Sequence, residues 1–128
     1  MLPTLMRIHA GLLVVFGLSF WLAPGPVWML SLYGVPSDGW EMVVAFARLL
    51  GVFALSFAAL LWTASRLPDA PLHAIARTVC IFQWVGGVLI LAQQYAIWNN
   101  VTGALMVALF LLLAGAYSVG LKRRPLSL

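Results

Sequence analysis

The sequence predicts an all-α polytopic membrane protein, a bundle of four transmembrane helices with a short interfacial helix on its outer side. Three observations carry that expectation. Of 128 residues, 64% are hydrophobic and only 8% are charged, where an ordinary soluble domain carries about 25% charged residues. The mean hydropathy is +1.06. The apolar residues fall into four runs of about 20, the length a helix needs to cross roughly 30 Å of hydrocarbon. A water-soluble domain this small could not hide so much apolar surface. A soluble globular protein, a disordered chain and a disulfide scaffold are therefore excluded.

The first span covers about residues 5–23. Arg7 followed by an apolar run has the look of a signal peptide. The run ends Phe20-Trp21-Leu22-Ala23-Pro24, which lacks a small-residue pair at cleavage spacing, so the segment reads as a retained span. Pro24-Gly25-Pro26 ends it. Pro26 at a first helical position and Gly34 just past an end bracket Val27–Tyr33, which predicts a short helix on the outer surface. The second span covers about 42–64. Pro68-Asp69-Ala70-Pro71 then reads as the break before a third span at about 74–98. Asn99-Asn100 is a tight turn into a fourth span at about 101–121, which Lys122-Arg123-Arg124-Pro125 ends. Residues 1–128 thus form one four-helix domain. Phe16-Gly17-Leu18-Ser19-Phe20 and Phe53-Ala54-Leu55-Ser56-Phe57 echo each other, but the match does not extend and reads as composition.

Charge orients the bundle. Arg7, Arg66, Arg77, Lys122, Arg123 and Arg124 make six of the seven basic residues, and all lie at the termini or around the second loop. The loop before Glu41 holds Asp38 and no base. The positive-inside rule then puts both termini in the cytoplasm. Trp21, Trp28, Trp40 and Trp98 fall near the outer face as an aromatic belt, and Trp62 near the inner face.

Helices associate in lipid through small residues and interhelical hydrogen bonds. The expected inward stripes are Leu5, His9, Leu12, Phe16 and Ser19 in the first span. In the second they are Glu41, Val44, Arg48, Gly51, Leu55, Ala58 and Trp62. In the third they are Ala76, Cys80, Gln83, Gly87, Ile90 and Gln94, and in the fourth Ala104, Ala108, Leu111, Gly115 and Ser118. Cys80, the single cysteine, can form no intramolecular disulfide and reads as a small buried residue.

The candidate ligand-binding residues are Arg48, Glu41, Gln83 and Gln94. Arg48 lies seven residues beyond Glu41, about 10 Å deep, where an unpaired charge costs at least a few kcal/mol. Two readings stay open. Arg48, Glu41 and Gln94 form an outer-half site for an anionic or carbonyl-bearing ligand such as a lipid head group, or Arg48 locks the second and third spans together. Gln83, beside Gly86 and Gly87, marks close helix contact or lines a small cavity. His9 and His73 are the only histidines, and two facing imidazoles are a weak case for haem ligation. The carboxylates sit at loop edges, which argues against a carboxylate-driven proton antiporter, and no phosphate loop or catalytic triad can be assembled.

Leu22-Ala23-Pro24-Gly25, Leu32-Tyr33-Gly34 and Ala47-Arg48-Leu49-Leu50-Gly51 resemble a domain-of-unknown-function family of small bacterial four-helix membrane proteins. The resemblance covers mainly the first half of the chain. It implies the fold and a bacterial inner membrane, and no activity. The expected function is a non-enzymatic membrane module, an accessory subunit or self-associating bundle. The alternatives are a protein that binds or transports a lipid or small amphiphile, and a haem or redox subunit. No cofactor is expected. The expected partners are the bilayer and a homo-oligomer or larger membrane complex, with no nucleic acid.

Overall fold

The structure, a computed structural model, describes residues 1–22, 40–99 and 101–122. The expected surface helix between Pro26 and Gly34 lies outside the described residues. Among those residues every regular element is helical. Helix α1 runs Leu2–Trp21, α2 Trp40–Ala64, α3 Asp69–Gln93 and α4 Val101–Lys122, with a π-helical turn, Gln94–Trp98, continuing α3. All four helices are long and apolar enough to cross a membrane.

The element starts follow backbone chemistry. Helix α3 begins five residues before the expected position 74, so Asp69-Ala70-Pro71 is its first turn and not a linker. Proline is tolerated there because first-turn N–H groups have no partner within the helix. Asp69 also places a negative charge at the positive end of the helix dipole. The real connection is Ser65–Pro68, where the backbone N–H groups of Arg66 and Leu67 donate to Thr63 and Ala64 in a tightened last turn. At the far end of α3, Asn99 adopts φ 42 and ψ 45, and its N–H donates to the Gln94 carbonyl at 2.7 Å. Asparagine accepts this left-handed conformation more readily than most side chains.

Helix α2 leans on α1 and α3 on α4, and α1 joins the two hairpins by touching both α3 and α4. The α1–α2 crossing is set by glycine. A Cβ on Gly51 would stand 2.7 Å from the Gly17 carbonyl oxygen, and one on Gly17 would stand 2.9 Å from that of Gly51. The two backbones therefore meet directly.

The two hairpins use matching registers. Leu2, Arg7, Val15 and Gly17 of α1 correspond, seventy positions on, to Leu72, Arg77, Val85 and Gly87 of α3, and the burial pattern repeats with them. Both parallel helices start with a leucine in the core and carry a glycine against the partner helix.

The α3 stripe lies where the sequence put it. Ala76, Cys80, Gln83 and Gly87 are buried, and Ile90 and Gln94 half-buried. In α2 and α4 the seam is turned by about one residue. The buried row of α2 is Ala47, Gly51, Ala54, Ala58 and Leu61, leaving Glu41, Arg48 and Trp62 exposed. In α4 the buried residues are Gly103, Val107, Leu113, Ala114, Tyr117 and Gly120, leaving Ala104 and Ala108 exposed. In α1 the buried set is Leu2, Met6, His9, Ala10, Gly17 and Phe20, and Leu12 is exposed. Small residues fix these seams because they permit backbone approach. Charged side chains gain nothing by entering an apolar seam.

The core is not evenly distributed. Leu2, Met6, Ala10, Ala58, Leu61, Ala64, Leu72, Ala76, Val79, Cys80 and Tyr117 form one buried cluster. These residues come from the starts of α1 and α3 and the ends of α2 and α4, so the half of the bundle nearer the described termini is solid. The same end is tied across its surface. Arg7 Nε donates to Ser65 Oγ at 3.2 Å, and the guanidinium groups of Arg7 and Arg66 each lie 5.9 Å from the Trp62 ring.

Candidate functional site

The opposite half of the bundle holds a half-open cavity of about 510 Å³ bordered by all four helices. Leu50 and Phe82 on its rim are 55% and 69% exposed, so the space opens onto the surroundings of the bundle. Four phenylalanines of α1, α2 and α3 (Phe16, Phe20, Phe57 and Phe82) supply much of its wall, with Phe110 of α4 facing them. A second cavity of about 700 Å³, bordered mainly by α2 and α3, shares Phe16, Leu50, Phe57 and Phe82 with the first.

Among the described residues only two polar ones line the first cavity, His9 and Gln83. They are 2% and 4% exposed, so both must find their partners inside the protein. Gln83 Nε2 lies 3.3 Å from His9 Nε2, and His9 Nδ1 lies 3.2 Å from the Tyr117 hydroxyl. A chain of hydrogen bonds thus runs from α3 through α1 to α4. Phe57 of α2 presents its ring edge-on to His9 at 6.2 Å between centroids. One atom of the chain is left over. Gln83 Oε1 is buried and has no hydrogen-bond partner among the described residues.

The quasi-symmetric frame isolates this polar group. Seventy positions from His9 stands Val79, and seventy before Gln83 stands Leu13. Each hairpin contributes one polar residue at a seam position where the other has an aliphatic one. The polar floor is therefore not a by-product of the shared packing pattern.

The structure distributes the residues singled out by sequence as follows. Gln83 is at the cavity floor. Arg48 and Glu41 are exposed, and Arg48 makes no hydrogen bond or ion pair among the described residues. Gln94 is half-buried and opens the π-helical turn. His9 does not meet His73: both of its ring nitrogens face Gln83 and Tyr117, whereas His73 Nδ1 donates to the Asp69 carbonyl of its own helix at 2.7 Å. Among the described residues no three His, Cys, Asp or Glu side chains group as a metal site. Cys80 is buried and hydrogen-bonded to α4, with Sγ 3.3 Å from Ser118 Oγ. Tyr117 lies outside the stripe that spacing predicts for this helix. A tyrosine inside an apolar run needs a partner for its hydroxyl, and that requirement was the available signal.

Compared with known proteins, the chain matches no family model, no curated protein and no solved structure. The functional reading rests on its own geometry.

Proposed function

We propose that this chain is a non-enzymatic integral protein of a bacterial inner membrane, with both termini cytoplasmic, that binds a lipid-like molecule in the cavity. The ligand has a long apolar body and one hydrogen-bonding end. The observation that carries the reading is the 510 Å³ space with apolar walls and a His9–Gln83 floor. Ligand sites typically combine such walls with a few placed polar groups. The outer surface supports the membrane setting. Phe46, Phe53, Leu105 and Leu112 are all strongly exposed, an arrangement that suits lipid and would drive aggregation in water.

Native mass spectrometry of protein released from lipid nanodiscs tests this. The wild type is expected to carry one retained apolar small molecule per chain. Leu109, which lines the cavity from α4, offers a way to fill it, and Leu109→Trp should give a folded protein with occupancy reduced at least several-fold. A wild type that emerges bare, or a variant equally loaded, rules the reading out.

A second reading, a self-associating bundle or a subunit of a larger membrane complex, is favoured by Arg48. Its exposed position about 10 Å along α2 from Glu41 leaves a guanidinium facing the bilayer, where a carboxylate on a neighbouring chain would stabilise it. Replacing it by Arg48→Leu should leave helix content and thermal unfolding unchanged while collapsing the oligomer on native gels. An unchanged oligomer, or a monomeric wild type, removes this reading and leaves Arg48 snorkelling to the interface.

A further inference from the structure

We propose a second binding site, apart from the cavity: Arg7, Trp62 and Arg66 hold the phosphate of an anionic glycerophospholipid at the end of the bundle nearer the described termini. None of these three residues lines either cavity, so this inference and the cavity reading are tested separately.

The cluster joins α1 to the end of α2. Arg7 stands five residues from the start of α1, about 7.5 Å along its axis. Trp62 lies in the last turn of α2, and Ser65 and Arg66 follow that helix directly. Side chains at this level reach the boundary of an apolar span, where lipid head groups lie. Ser65 is buried and fixes the arrangement. Its hydroxyl donates to the Trp62 carbonyl at 2.7 Å and accepts from Arg7 Nε at 3.2 Å. The other nitrogens of the Arg7 fork have no partner among the described residues. The guanidinium carbons of Arg7 and Arg66 each stand 5.9 Å from the centroid of the Trp62 ring, so two like charges gather around one indole.

Nothing in the cluster neutralises them. Neither guanidinium makes an ion pair among the described residues, and Asp69, three positions beyond Arg66, does not pair with it. The indole N–H of Trp62 also has no partner among those residues. Guanidinium and indole nitrogens donate and cannot accept. The missing component is therefore an anion with several acceptor oxygens, and arginine forks match the geometry of phosphate. An anion between the two cations turns their repulsion into attraction.

The adjoining surface selects a lipid over free phosphate. Gly11, Val14 and Leu18 continue the Arg7 face of α1 at four, seven and eleven residues. Ala59 and Val52 continue the Trp62 face of α2 at three and ten. All five are exposed, and a Cβ on Gly11 would meet nothing within 4 Å. An acyl chain leaving the phosphate has an apolar, partly glycine-lined surface to lie on. A choline or ethanolamine head would add a third cation beside the two arginines, which already flank the ring that would otherwise attract it. A phosphodiester with an uncharged alcohol, as in phosphatidylglycerol, fits best.

The test titrates delipidated full-length protein in mild detergent with phosphatidylglycerol, with phosphatidylcholine of the same acyl chains, and with water-soluble glycerol 3-phosphate. Native mass spectrometry counts the bound copies. The first phosphatidylglycerol is expected to bind about tenfold or more tightly than the first phosphatidylcholine, because each arginine near a membrane surface contributes about fivefold. Glycerol 3-phosphate should not bind at the same concentrations. Arg66→Gln and Arg7→Gln should each lower the preference about fivefold. Arg77→Gln removes the same charge from a side chain with no hydrogen bond or ring contact among the described residues, and should leave the preference intact. Equal binding of the two lipids by the wild type overturns the proposal. So does an Arg77→Gln loss as large as that of Arg66→Gln, which would make the preference a property of net charge and not of the cluster. Glycerol 3-phosphate binding as tightly as the lipid overturns the choice of a lipid. If Arg7→Gln does not fold without its tie to Ser65, Arg66→Gln, whose side chain makes no hydrogen bond among the described residues, decides alone.

Discussion

Gly51→Ala is expected to destabilise the bundle by about 1–3 kcal/mol, the range for inserting a methyl group where packing has no room. Gly51→Leu should prevent the α1–α2 hairpin from closing. The cause is backbone against backbone. The new Cβ would lie 2.7 Å from the Gly17 carbonyl oxygen, 3.1 Å from the Trp21 nitrogen and 3.3 Å from Phe20 Cβ. None of these atoms is the end of a flexible side chain, so the helices themselves must separate. In lipid this loss is hard to offset, because hydrocarbon outside the bundle is as apolar as hydrocarbon inside and helix association depends on close contact.

Two other glycines supply the controls. Gly11 and Gly115 have nothing within 4 Å of where a Cβ would stand. Gly11→Ala and Gly115→Ala should therefore be neutral, or stabilising by up to about 1 kcal/mol through helix propensity. Gly87→Ala falls between. Its Cβ would meet Leu111 Cδ2 at 2.9 Å, and that methyl group can rotate away. Unfolding by SDS titration, followed by circular dichroism, ranks the four variants. The packing account fails if Gly51→Ala is no worse than Gly115→Ala.

The same contrast shows what was legible in the sequence. Run length and punctuation located four helices to within a few residues, since both depend on local chemistry. Reading Pro71 as a breaker places the start of the third helix five residues late, because a first-turn proline obstructs nothing. The α3 stripe could be read because its polar member, Gln83, and its small members, Ala76 and Gly87, lie on one face. In α2 they do not. Arg48 adjoins Ala47, and anchoring the stripe on the charge turned the predicted seam by one residue. The π-helical turn leaves no sequence mark, because a polar-apolar pattern five residues long fits either helix type. At the site, the sequence displays both Gln83 and His9 but not that they meet. Their pairing depends on how α1 meets α3, a long-range fact that spacing within one helix does not contain.

His9→Leu is expected to cost more stability than the loss of the whole polar chain. His9 connects two buried groups, Gln83 Nε2 at 3.3 Å and the Tyr117 hydroxyl at 3.2 Å. Removing the imidazole alone strands both in an apolar interior, and each buried group without a partner costs about 1–3 kcal/mol. In membranes the lower end applies, since interhelical hydrogen bonds there average about 0.6 kcal/mol. About 2 kcal/mol is therefore expected for His9→Leu and about 1 kcal/mol for Tyr117→Phe. The triple variant His9→Leu, Gln83→Leu, Tyr117→Phe removes every donor and acceptor together. It should return to within about 1 kcal/mol of the wild type, because a fully apolar interior is better than a half-satisfied network. SDS-titration unfolding of the single and triple variants measures the non-additivity. A triple variant that loses the sum of the single losses would show that the chain holds the bundle together. A triple variant as stable as the wild type would show that three polar side chains in the middle of an apolar bundle are not what holds it together. The distribution of the core is the reason to expect it: the solid half of the bundle carries the packing, and the hydrogen-bonded chain lies where that core gives way to the cavity.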